Sequence, residues 1–162
     1  MMSVWKQLTK VAVTAGCAEG GTALNAFDNA LLAAGIGNIN LIKVSSIVPP
    51  DVDIVTLPPL KPGALVPTAY AAMTSETPNE TISAAVGYAL PADRSKAGVI
   101  MEYHDRTDRT TADQVIRAML AEAFAVRGET IREMKVVAVE HRVEKVGCVL
   151  AAVTLLSEDD LL

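Results

Sequence analysis

Only two stretches of this chain carry apolar residues at helical spacing, and the rest is short β-branched runs broken by Gly and Pro. Residues 22–34 place Leu24, Phe27, Leu31 and Ala34 on one stripe, with Gly35 just beyond as a stop. A second helix is expected from Thr111, with Thr111 and Gln114 at capping-box spacing. It carries Val115, Ile116, Met119, Leu120 and Ala123, and ends at Gly128. Strands are expected over residues 11–15, over 38–44 running on through Ser45, Ser46, Ile47 and Val48 to Pro49-Pro50, and over 68–75, 81–90 and 97–104. Residues 135–142 and 146–155 read as a closing hairpin. Between the second and third strands, residues 51–67 read as a rigid irregular crossing, stiffened by Pro58, Pro59, Pro62 and Pro67. The tail 157–162 is acidic and reads as frayed. This order of elements predicts an α+β fold in layers.

The chain has 162 residues, enough for one domain spanning 1–162. Hydrophobic residues make up 51% and charged residues 20%, which excludes intrinsic disorder. Aromatics are only 4%, so the core has to be built from Ala, Val, Leu and Ile, and the apolar fraction hints at burial between subunits. The net charge of −5, with no basic run, argues against a nucleic-acid partner. No apolar stretch has the length of a membrane span or of a signal peptide, so a soluble cytoplasmic protein is expected. Cys17 and Cys148 are too few for a disulfide framework or a zinc knuckle and read as reduced thiols.

The common motifs are missing. There is no Walker loop, no Gly-x-Gly-x-x-Gly after a strand and no His-Glu-x-x-His. His104 and His141 stand apart with no cysteine nearby, so no metal site is expected. The residue types of a Ser-His-Asp triad are present, but nothing in their spacing supports one. Gly35-Ile36-Gly37 is explained more simply as a helix stop than as a phosphate nest.

One segment stands out: Lys43-Val44-Ser45-Ser46-Ile47-Val48-Pro49-Pro50. Two serines sit where an apolar strand meets a double proline. One reading is structural, with the hydroxyls capping loose backbone groups at a strand end. The other is chemical. A serine hydroxyl can attack the carbonyl just before it when a turn holds the two close and polarises that carbonyl. The peptide becomes an ester, elimination leaves a dehydroalanine, and loss of ammonia gives a pyruvoyl cap. A pyruvoyl carbonyl is an electrophile that can form a Schiff base with an amino acid, the role otherwise taken by pyridoxal phosphate. On spacing alone the structural reading is the favoured one.

Three runs, Leu24-Asn25-Ala26-Phe27-Asp28, Gly35-Ile36-Gly37-Asn38-Ile39-Asn40-Leu41 and Val44-Ser45-Ser46-Ile47-Val48-Pro49-Pro50, together resemble the pyruvoyl-dependent arginine decarboxylases. The segment Gly98-Val99-Ile100-Met101-Glu102-Tyr103 is similar too. The resemblance implies a four-layer α-β-β-α sandwich, assembled as trimers or dimers of trimers with active sites between neighbours. It implies self-cleavage between Ser45 and Ser46, giving a β chain of residues 1–45 and an α chain of residues 46–162. The cofactor would be a covalent pyruvoyl group from Ser46, with no metal and no pyridoxal phosphate. The reaction would convert L-arginine to agmatine and carbon dioxide. Glu102 matches the family's catalytic acid, which needs burial to hold its proton. Asn40 matches an active-site asparagine. Asp28 matches the substrate-binding aspartate, suited to accept a guanidinium through two parallel bonds. Gly37 and Ile39 match pocket-lining positions, and Ser45 matches the residue whose new carboxylate borders the site. The same chemistry on another amino acid or on S-adenosylmethionine is the alternative, as is a non-catalytic oligomeric binding protein on this scaffold.

Overall fold

The computed structural model of the chain describes residues 6–162. Its elements run β1 (Lys10–Glu19), α1 (Ala23–Ala33), β2 (Asn40–Lys43), β3 (Ile47–Val48), β4 (Asp53–Ile54), β5 (Leu65–Ser75) and β6 (Thr81–Pro91). They continue with β7 (Gly98–Asp105), α2 (Arg109–Arg127), β8 (Ile131–Arg142) and β9 (Gly147–Leu156). The strands form a five-stranded sheet, β2-β5-β9-β1-β4, and a four-stranded sheet, β3-β7-β6-β8. The sheets pack face to face, α1 covers the first and α2 the second, so the layers run helix, sheet, sheet, helix. The expected α+β class is therefore present.

Alternation along the strands builds this layering. In β5, Ala69 and Ala71 face the other sheet, while Tyr70 and Ala72 face α1. In β9, Val149, Ala151 and Val153 face inward, while Cys148, Leu150 and Ala152 pack under α1. Both faces of β9 are covered, which is why its sequence is apolar but for Thr154, whose hydroxyl donates to the Ala12 carbonyl at 3.1 Å. The buried face of α2 itself carries Ile116, Leu120 and Phe124, each worth about 1.5–3 kcal/mol by burial. Small residues bring α1 close. A Cβ on Gly16 of β1 would meet the Ala30 carbonyl and the Ala34 amide, so only glycine fits there. The one large aromatic in the inter-sheet core, Tyr88, donates to Glu133 at 3.1 Å. Burial, and then the Glu133 carboxylate, push its phenol well above the usual range. Cys17 faces the inter-sheet core and Cys148 faces α1, on opposite sides of one sheet, so the two thiols are free.

The fold differs from the sequence reading at five places. The expected hairpin of residues 135–155 does not exist: β8 pairs with β6 in one sheet, and β9 pairs with β1 and β5 in the other. The run 38–48 is likewise two strands in two sheets, because β2 pairs parallel with β5 while β3 pairs antiparallel with β7. Helix α2 starts earlier than Thr111, since Asp108 is its N-cap and accepts from the Thr111 amide at 2.7 Å. Residues 51–67 are not wholly irregular: β4 adds to β1, and Leu60 bridges Leu161. Pro67 lies inside β5, where the β9 ladder begins only at Thr68, so its missing N–H costs no bond to β9. Finally, the acidic tail is docked. Residues Glu158–Asp160 form a 3-10 turn, and the Asp160 carboxylate is fully buried against Lys6 and Ser157.

Candidate active site

The serine pair sits where the backbone leaves one sheet for the other. Lys43 is the last residue of β2 and Ile47 the first of β3, so Val44, Ser45 and Ser46 make the crossing. Two backbone bonds fix it. The Ile100 amide of β7 donates to the Ser46 carbonyl at 2.8 Å, and the Ile47 amide donates to the Ser45 carbonyl at 3.1 Å. The second bond closes a three-residue turn centred on Ser46. Ser45 is exposed and Ser46 half-buried.

The β3–β7 register, Ile47 opposite Val99 and Val48 opposite Gly98, puts Ser46 opposite Ile100. Glu102 lies two residues further along β7 and thus on the same face as Ile100. Its side chain is 31% exposed. Oε1 lies 3.7 Å from the Lys43 ammonium, and Oε2 is buried with no hydrogen-bond partner among the described residues. Lys43 reaches across from the other sheet, donating to the Tyr70 carbonyl at 3.2 Å with its ammonium 4.5 Å from the Tyr70 ring centroid. A cleft of about 330 Å³ opens here, lined by Lys43, Tyr70, Ala72, Glu102, Tyr103 and His104. Burial and then a bond to Asp105 push the Tyr103 phenol up, while the Arg106 amide and then Tyr103 hold the Asp105 carboxyl below its ordinary value. Among the described residues no three His, Cys, Asp or Glu side chains gather as a cation site. Likewise, no described helix is long and apolar enough to cross a membrane.

The structure brings Ser45, Ser46 and Glu102 to one edge of the sandwich. Of the expected site residues only Glu102 lines the cleft itself. Asp28 is exposed on α1 and makes no ion pair among the described residues. Gly37 packs against Leu32, and Ile39 packs beneath α1. Asn40 begins β2, which alone carries the chain about 10 Å before Lys43. Its side-chain amide donates to the Gly63 carbonyl at 3.3 Å. Sequence reasoning missed Lys43, Tyr70 and His104. The period-2 match of Glu102 with His104 was a usable signal, whereas the Lys43–Tyr70 contact depends on parallel pairing of β2 with β5 and left none.

With this geometry in place, three comparisons with known proteins bear on the chain. The family model described as pyruvoyl-dependent arginine decarboxylase matches residues 10–160. The chain belongs to the pyruvoyl-dependent arginine decarboxylase family. A pyruvoyl-dependent arginine decarboxylase of Methanocaldococcus jannaschii is 52% identical over 145 residues, covering 90% of this chain and 88% of that protein. One from Pyrococcus horikoshii is 44% identical over 154 residues, covering 93% and 97%. Among solved structures, a pyruvoyl-dependent histidine decarboxylase at pH 8 superposes with a TM-score of 0.51 at 12% identity. It covers 60% of this chain and 52% of the other, so this chain spans about half of that protein, and the likeness speaks for the fold alone. Family membership makes the chain a decarboxylase, hence a carboxy-lyase, of the pyruvoyl-dependent kind.

Proposed function

We propose that the chain cuts itself between Ser45 and Ser46, carries a pyruvoyl group at residue 46, and decarboxylates L-arginine to agmatine and carbon dioxide. The observation that carries this reading is the place of the serine pair. It occupies a turn between two sheets, on the same side as a half-buried carboxylate whose Oε2 has no partner. These residues fit the group the family implies: a serine to become it, a carbonyl already accepting a hydrogen bond, and an open cleft at Glu102. Once formed, the group would supply an electrophilic carbonyl that takes up the electron pair left on the α-carbon as carbon dioxide departs.

The chain's own residues do the rest. Lys43 holds Glu102 Oε1 and leaves Oε2 as the atom that carries a proton to the substrate's α-carbon. The carboxylate left on Ser45 borders the site. Asp28 accepts the guanidinium, Gly37 and Ile39 line the pocket, and the Asn40 amide holds the reacting carbonyl or the substrate carboxylate. These four stand outside the Glu102 cleft of their own chain, so we assign them to a neighbour's cleft, in a trimer or a dimer of trimers. Exposed apolar side chains support such a contact. Ile42 is 43% and Leu65 54% exposed, and a groove of about 410 Å³ beside them is lined by Leu8, Val44, Pro67 and Leu155. The two free thiols and the acidic charge support a cytoplasmic setting, without nucleic-acid or membrane partners.

Purified protein run under denaturing conditions tests the reading. The wild type gives a short piece and a longer piece whose start at residue 46 is blocked, and Ser46→Ala gives one full-length band. An uncut wild type that still releases carbon dioxide from arginine would overturn it. No observation favours S-adenosylmethionine, another amino acid or a role without catalysis.

A further inference from the structure

We infer that the backbone N–H of Ile47 drives the self-cleavage, by holding the Ser45 carbonyl in place and taking up the negative charge that develops on its oxygen. The inference rests on cleavage between Ser45 and Ser46 as proposed above. It starts from one bond, the 3.1 Å donation from the Ile47 amide to the carbonyl that has to be attacked.

Three features single out this donor. First, it belongs to the residue directly after the attacking serine, and the turn brings it back onto the residue directly before. Ser46 has no positive φ, so the turn is of the common inverse kind, which positions without left-handed strain. Second, the sheet leaves this N–H free for the task. In an antiparallel ladder, residues alternate between bonding the partner strand and pointing away from it. Ser46 uses its carbonyl on the Ile100 amide, so Ile47, the next residue, points its N–H away from β7. Third, the Ile100 bond clamps Ser46 itself to a fully buried residue of β7, so nucleophile and carbonyl are held from both sides.

The Ser46 hydroxyl oxygen adds to the Ser45 carbonyl carbon, and the carbonyl π pair moves onto its oxygen, where the Ile47 N–H meets it. The hydroxyl proton passes to the Ser46 nitrogen. The C–N bond then breaks as the C=O re-forms, leaving an ester and a free amine. A fixed donor aimed at a developing oxyanion acts without reorganisation, and loss of one such donor slows acyl transfer roughly 100- to 1,000-fold.

The test removes the N–H and keeps the side chain. Full-length protein is made with the α-hydroxy analogue of isoleucine at position 47, which replaces that amide by an ester, and Ile47→Val is the control that keeps the N–H. The fraction cut between residues 45 and 46 is followed by intact mass over time, with circular dichroism as the check of folding. The expected result is wild-type cleavage in Ile47→Val and cleavage slowed roughly 100- to 1,000-fold in the folded ester variant. Ile47→Pro, which also lacks the donor, keeps the question open to experiment should the ester variant not fold, and slowed cleavage is expected there too. A folded variant without the donor that cuts at the wild-type rate overturns this inference and leaves the proposed function standing. A wild type that never cuts overturns the proposed function itself.

Discussion

Glu19 anchors the passage from β8 to β9, and replacing it by Gln gives a measurable test of how the two sheets are joined. Its Oε1 accepts from the backbone amides of Glu144, Lys145 and Val146 at 3.1, 2.7 and 3.2 Å. Its Oε2 lies 2.7 Å from His141 Nε2. Hydrogen bonds to a charged acceptor are worth about 1.5–3 kcal/mol and neutral ones about 0.5–1.5. Glu19→Gln therefore costs about 1 kcal/mol per bond before sharing. Three donors share one oxygen on a side chain 26% exposed, so a net loss of about 2 kcal/mol is expected. For a chain of this length that lowers Tm by about 4–8 °C. The pH dependence has a definite sign. Burial raises the Glu19 pKa, but the bonds from Lys145, His141 and Glu144 outweigh it and hold the carboxyl below its ordinary value. The carboxyl is thus more acidic folded than unfolded. Its stabilisation is complete above the unfolded value of about 4.3 and is lost as pH falls through the folded value. Calorimetry at matched protein concentration should show the full gap between wild type and Glu19→Gln at pH 7, and a smaller gap below about pH 4. Equal melting temperatures at pH 7, or a gap that widens in acid, would refute the reasoning.

Two further substitutions probe other parts of the chain. Asp160→Ala strands the buried Ser157 amide and hydroxyl, each 2.9 Å from the carboxylate, and should cost about 2–4 kcal/mol in a denaturant titration; a loss under 1 kcal/mol would mean the tail contributes little to the fold. Asp28→Asn should raise the arginine KM about 10- to 100-fold, with a smaller change in kcat and with normal self-cleavage, and an unchanged KM would take Asp28 out of the binding site.

Elements whose signal is local were legible in the sequence. Helix α1 lies within the expected residues 22–34, and Gly128 ends α2 in the left-handed conformation, as its residue type suggested. What was not legible depends on partners far along the chain. The segment Val143–Val146 has the polarity of a hairpin turn, but Glu19, more than 120 residues earlier, gathers its amides and lets β8 and β9 part into different sheets. An acidic tail reads as frayed until Lys6 and Ser157 supply partners for Asp160. The Asp108 cap was masked by the equally suitable Thr111 three residues on. At the site, the serine pair and Glu102 announce themselves by residue type, whereas a backbone donor such as the Ile47 N–H has no signature in the letters of a sequence. Asp28, Gly37, Ile39 and Asn40 were read by family likeness, and one chain does not gather them with Glu102.

The ladder between β1 and β9 runs unbroken from Lys10 opposite Leu156 to Glu19 opposite Gly147, and β1 and α1 both precede residue 46. The proposed nick at that position would therefore sever covalent continuity without shedding either fragment. The amino-terminal portion stays woven into the middle of a sheet built mostly by the carboxy-terminal portion. What would change is local slack: two fresh ends, one rooted in each sheet, would gain the latitude to draw apart that an intact backbone denies them.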